Sequence, residues 1–131
     1  MTKFKFVKEY EIRASPKLLF PYISTAEGLS SWFAEKAKYD RNTEIYHFEW
    51  DQTDHPAKLI QQKLNKHARF EFTGTEGAES EANYIDFKLE TNEITQATFL
   101  KISDFSTTTD EAELEGLWDG LVDNLKDLIG G

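Results

Sequence analysis

The stretch DEAELEGLWDGLVDNLKDLIGG, residues 110–131, decides the fold. In it Leu114, Leu117, Trp118, Leu121, Val122, Leu125, Leu128 and Ile129 recur at intervals of three and four. That spacing predicts one long helix with a single broad apolar face. Glu111, Glu113, Glu115, Asp119, Asp123 and Asp127 occupy most of the remainder, which must meet water. An apolar stripe this wide needs a concave apolar partner, and the chain before it reads as strands. A sheet wrapped around a terminal helix is a container architecture.

Working back towards the N-terminus, residues 3–13 read as a strand with Phe4, Phe6, Tyr10 and Ile12 at period two. Ser15-Pro16 announces a helix, with Ser as N-cap and Pro where its missing N–H costs nothing. Leu18, Leu19, Tyr22 and Ile23 give that helix an apolar side, and Pro21 within it predicts a short or bent element. Thr25 caps a second short helix carrying Leu29, Trp32 and Phe33, although Gly28 lowers its intrinsic stability.

From residue 36 the period changes to two. Ala37 and Tyr39 alternate with lysines before a polar turn at 40–43. Tyr46, Phe48 and Trp50 then form one face of a strand opposite Ile45, His47 and Glu49. A turn at 51–56 leads to a strand over 57–64, and Asn65-Lys66-His67 turns the chain into the strand 68–72. Residues 74–81 read as a flexible acidic loop. Ile85, Phe87 and Leu89 mark the next strand, and Thr98, Leu100 and Ile102 the last. Short links between successive strands imply an antiparallel meander. The fold class is therefore α+β: a curved antiparallel sheet of six to seven strands, two short helices after the first strand, and a long C-terminal helix.

Composition bounds the function. A chain of 131 residues suits one domain, 1–131, able to bury about two-thirds of its unfolded surface. Hydrophobic residues make up 39% and aromatics 14%, including ten Phe and three Trp, which supports a bulky aromatic interior. With 24 acidic against 15 basic residues the formal charge is −9, which argues against nucleic acid and anionic membrane surfaces as partners. There is no Cys, so disulfides and thiolate chemistry are excluded. No signal-like or membrane-spanning apolar run occurs, and a cytoplasmic protein is expected.

Four segments carry a resemblance. Ser15-Pro16-Lys17-Leu18-Leu19-Phe20 looks like a strand-to-helix entry, and Leu29-Ser30-Ser31-Trp32-Phe33 like a Leu-x-x-Trp-Phe segment. Residues 98–105, Thr98 to Phe105, are similar to a last strand, and Gly116-Leu117-Trp118 through Leu128 to a Gly-Trp-containing terminal helix. In this order they resemble the START-like (SRPBCC, Bet-v-type) helix-grip superfamily, most closely the family named after the activator of the heat-shock-protein-90 ATPase. Two positions depart from that family: Arg41-Asn42-Thr43-Glu44 stands where a Gly-Gly turn is usual, and Asp104 where a His is frequent. Members of the superfamily include lipid and hormone binders, aromatase/cyclases and chaperone regulators.

The resemblance implies an apolar small molecule or lipid held between sheet and helix. The candidate lining is Tyr39, Tyr46, Phe48, Trp50, Leu59, Gln61, Phe70, Phe72, Phe87, Leu100 and Trp118. A filled core would need the same inward apolar residues, so periodicity leaves cavity and core both open. Gln61 shares phase with Ala57 and Leu59, which aims its amide inward; the bland reading is a bulge where the face changes. Asp104 shares phase with Leu100 and Ile102 and can face a cavity mouth, where burial raises its pKa, or else stabilise the loop entering the terminal helix. Asp86, opposite in phase to Ile85 and Phe87, is expected to be solvated. His47, His55 and His67 lack metal-ligand spacing and read as surface residues. No nucleophile elbow or phosphate-binding loop is present. No catalytic residue, metal or cofactor is assigned. A small-molecule-binding domain is expected; the alternatives are a protein-interaction or chaperone-regulating domain, and a cyclase or hydrolase using the same cavity.

Overall fold

The computed structural model describes residues 3–73, 83–107 and 110–130; the acidic loop expected at 74–81 lies outside them. The elements run β1 (Phe4–Ile12), α1 (Pro16–Ser24), α2 (Ala26–Ser30), β2 (Lys36–Asp40), β3 (Ile45–Trp50), β4 (Thr53–Lys63), β5 (His67–Phe72), β6 (Tyr84–Thr91), β7 (Thr98–Ser106) and α3 (Glu111–Ile129). The strands form one seven-stranded antiparallel sheet in the order β1-β7-β6-β5-β4-β3-β2. From β2 to β7 this is the expected meander. The first strand joins its far edge, pairing Phe4 with Ser106 and Ile12 with Thr98. None of the described helices is long and apolar enough to cross a membrane.

Alternation places Phe6, Phe48, Phe70, Ile85, Phe87, Leu100 and Ile102 on the concave face, all buried. Leu114, Trp118, Val122 and Leu125 of α3 are buried as well. Asp110 caps α3, accepting from the Glu113 N–H. At the β1 edge, Asp119 of α3 accepts hydrogen bonds from the Tyr10 hydroxyl at 2.7 Å and Lys8 Nζ at 2.9 Å. The phenol's pKa is raised by burial and by the Asp119 carboxylate, so it stays a donor. The stripe of α3 is narrower than the pattern predicted. Leu117 and Leu128 are half exposed, since an eight-residue stripe spreads over more arc than one sheet can cover.

Helices α1 and α2 meet where Gly28 faces the Pro21 carbonyl. A Cβ there would lie 2.1 Å from that oxygen, so the glycine permits close approach. The segment following α2 then drives Trp32 and Phe33 into the core, with Trp32 Nε1 donating to the Tyr22 carbonyl at 2.8 Å.

Strand β4 begins at Thr53, four residues before the expected start at Ala57. Asp51 and Gln52 both take positive φ (50° and 62°), as a two-residue type I′ hairpin requires, and Trp50 pairs directly with Thr53. Further along β4 the register with β5 shifts between Leu59 and Gln61. The bulge carries Gln61 out of phase with Ala57 and Leu59. Its side chain is exposed rather than inward.

Asp86 and His67 also depart from expectation. His67 opens β5 rather than lying in a turn. Asp86 faces the convex side, as its phase requires, yet is only 2% exposed. Its carboxylate receives Arg69 Nε at 2.7 Å and lies 2.9 Å from His67 Nε2. The Arg69 guanidinium lies over the Tyr84 ring, 4.3 Å from its centroid, and Tyr84 stacks on Phe105 at 5.2 Å. Long side chains from β5 and an aromatic pair therefore cover a carboxylate on a face that alternation assigns to solvent.

Candidate functional site

The middle of the sheet–helix interface is filled. Phe48 meets Phe70 edge-to-face at 5.5 Å, Phe33 meets Phe87 at 5.7 Å, and Phe87 meets Trp118 at 6.1 Å. Offset and edge-on aromatic contacts of this kind fill volume and add about 0.5–1.5 kcal/mol per pair beyond burial. Phe48, Phe70, Phe87 and Leu100 all lie within this packing, each 1% exposed or less.

The interface opens at the end where β7 finishes and α3 begins. A cleft of about 850 Å³ lies there between the two, walled by Phe33, Trp50, Phe72, Ile85, Trp118 and Leu121. Trp50 is fixed by donating Nε1 to the Phe33 carbonyl at 3.0 Å, with the two rings edge-on at 5.0 Å. Phe33 stacks on Trp118 at 5.7 Å. Leu117 sits at the mouth, which explains why an apolar residue of α3 remains half exposed. Asp51, Asp54 and His55, from the β3–β4 hairpin, also line the space. Asp54 engages His47 Nδ1 at 2.9 Å.

Asp104 is the polar centre of this cleft. It is 9% exposed, and its Oδ2 accepts from Trp118 Nε1 at 2.9 Å. Burial raises its pKa above the ordinary aspartate value, while hydrogen bonds from Trp118 and Ser106 pull the other way. Its side chain thus points inward rather than serving the loop before α3. Asn83, in the wall nearby, holds its Oδ1 buried without a donor among the described residues.

Of the residues expected to line a cavity, Trp50, Phe72 and Trp118 reach the cleft. Tyr39, Tyr46 and Leu59 line a separate hollow of about 360 Å³ near the other end of the β2–β3–β4 hairpins. The Tyr39 and Tyr46 rings meet there in a tilted arrangement, 4.7 Å between centroids. Gln61 lines neither. Sequence reasoning missed Phe33 as a wall residue because it placed the ring on the second short helix, which instead ends at Ser30, and missed the rim acids because the tight Asp51-Gln52 turn has no glycine to mark it. A groove of about 980 Å³ between the β1–α1 link and the β6–β7 hairpin is larger than the cleft. Its lining holds no buried aromatic ring and no buried titratable group, so its chemistry is that of a turn surface.

Comparison with known proteins agrees with this fold. The fold resembles the solution structure of the Aha1 dimer from Colwellia psychrerythraea (TM-score 0.75, 21% identity, 95% of this chain and 94% of that one). It also resembles the crystal structure of MLL2253 from Mesorhizobium loti (0.74, 14% identity, 97% of both chains). An uncharacterised protein from Bacillus thuringiensis is similar too (0.75, 11% identity, 98% of this chain and all of that one). At such identities the likeness speaks for the fold alone. Among curated protein sequences none matches. A family model described as a START-like superfamily domain matches residues 1–131, and the chain belongs to that superfamily.

Proposed function

We propose that this START-like domain binds an apolar or amphiphilic small molecule in the cleft between β7 and α3. One observation carries the reading: the aromatic packing that fills the interface at Phe48 and Phe87 stops short at Trp50, Phe72 and Trp118, leaving about 850 Å³ open. A cleft of this size with mostly apolar walls and a few buried polar atoms, those of Asp104 and Asn83 Oδ1, suits a small organic ligand. Of the polar residues expected to face a cavity, Tyr39, Tyr46 and Gln61 lie outside the cleft. Asp104 alone lines it, and the proposal gives it a ligand-orienting role.

Nile red, a neutral apolar dye, tests the reading by fluorescence titration. We expect saturable one-to-one binding that Leu121→Trp weakens by about tenfold or more, because the larger ring occupies the cleft. A signal that never saturates, or that Leu121→Trp leaves unchanged, would sink the proposal. A protein-interaction role is the second reading, supported by the likeness to the Aha1 dimer and by the half-exposed Leu117 and Leu128 on α3.

A further inference from the structure

We infer that the ligand is an amphiphile bearing an amine or other cationic group, seated with that group against Asp104 and its apolar part along Trp50, Phe33 and Leu121. The inference rests on the binding proposal and adds the charge of the ligand.

Three independent features converge on it. First, the charged residues lining the cleft are Asp51, Asp54 and Asp104, with neither Lys nor Arg among the described lining residues; His55 is the one other titratable side chain that lines it besides Tyr84. An anionic head group would pass the exposed rim carboxylates Asp51 and Asp54, the latter engaged by His47, and then meet the buried Asp104 in a partly desolvated space, where like charges repel more strongly than in water. Second, the two described partners of Asp104 are neutral donors, the Trp118 indole and the Ser106 hydroxyl. A buried carboxylate is ordinarily paired with a cation. None of the ion pairs among the described residues supplies one to Asp104, so a ligand is left to do so. Burial raises the pKa of this carboxyl, and an ammonium group arriving beside it would offset that effect. Third, the walls are ring faces and edges, with Phe33 and Trp118 stacked and Trp50 edge-on to Phe33. Cations are attracted to such aromatic faces when partly desolvated. Asn83 adds a further acceptor, its Oδ1, that no donor among the described residues meets. The polar chemistry of the cleft is therefore rich in acceptors.

Calorimetric titration at neutral pH with octylammonium, 1-octanol and octanoate separates charge from chain length. Octylammonium should bind about tenfold more tightly than 1-octanol, and octanoate more weakly than either. Asp104→Asn keeps the shape and an acceptor for Trp118; it should abolish the preference, so that the variant binds octylammonium and 1-octanol to within about twofold of each other. Glu90→Gln, the same charge change on an exposed strand position, should leave the preference intact. If Glu90→Gln erases the preference as fully as Asp104→Asn, the general negative field is responsible and the inference fails. Octanoate binding as tightly as octylammonium also overturns it, and does so in the unaltered protein whether or not any variant folds. In that case the cleft remains a binding site. Binding by none of the three overturns the site itself and this inference with it.

Discussion

Asp86 and Asp104 lie on neighbouring strands, one register step apart, and face opposite sides of the same sheet: Asp86 pairs across to Ser103, and Ile85 to Asp104. Both are buried. Asp86 is met by the Arg69 guanidinium and the His67 imidazole, both from β5. Asp104 receives an indole and a hydroxyl. The difference shows how a protein treats a buried carboxylate that completes a surface and one that borders an open space. The first is closed within the fold; the second keeps unspent electrostatic capacity.

The comparison breaks most visibly at Trp118. Replacing this 1% exposed ring with Ala removes core volume and the Asp104 donor together, and should cost about 3–5 kcal/mol in urea denaturation. A loss under about 1 kcal/mol would show that Trp118 is not the hinge between core and cleft.

On the convex side, Arg69→Met should cost about 2 kcal/mol, because Asp86 keeps His67 alone at a nearly inaccessible position. The part-exposed guanidinium keeps this below the full cost of breaking a wholly buried pair. The loss should persist in high salt, since screening acts weakly on an enclosed carboxylate. If added salt abolishes the difference between variant and parent, the pair is a surface contact and the two carboxylates are alike.

Asp104→Asn should have the smallest effect and the opposite sign, a gain of up to about 1 kcal/mol at neutral pH. The folded-state pKa of Asp104 lies above its unfolded value, so the native state holds the proton more tightly. Ionisation therefore costs stability as pH rises from the unfolded pKa through the folded one, and the cost vanishes below both. The advantage of Asn should accordingly be greatest at neutral pH and disappear in acid. Denaturation midpoints of parent and variant across that range would check it; an advantage that grows on acidification would mean that Asp104 is stabilised as the anion.

How much of this was legible in the sequence follows from what periodicity encodes. The alternation of Tyr46, Phe48 and Trp50, and the three-and-four spacing of Leu114, Trp118 and Leu125, specify which way side chains point, and the sheet and helix obey them. Direction is not occupancy. Phe48 and Trp50 share a face, yet one is enclosed by rings and the other borders open volume, a distinction set by where β7 and α3 diverge. The inward phase of Asp104 could be read from Leu100 and Ile102. The burial of Asp86 could not, because its cover comes from Arg69, a residue of another strand whose length rather than polarity matters. Gln61 escaped because a bulge resets phase without a glycine to announce it.

The pairing of β1 with β7 also has a consequence in time. Every strand from β2 to β7 has a sequence neighbour to pair with, but β1 must wait for residues 98–106, and its link to α3 joins Lys8 to Asp119 across 111 positions. Contacts of such long separation are entropically expensive to close and slow folding. On the ribosome, Phe4, Phe6 and Tyr10 therefore precede their partners by most of the chain's synthesis. The lysines interleaved with them, Lys3, Lys5 and Lys8, put charge along an edge that would otherwise recruit strands from other chains while it waits.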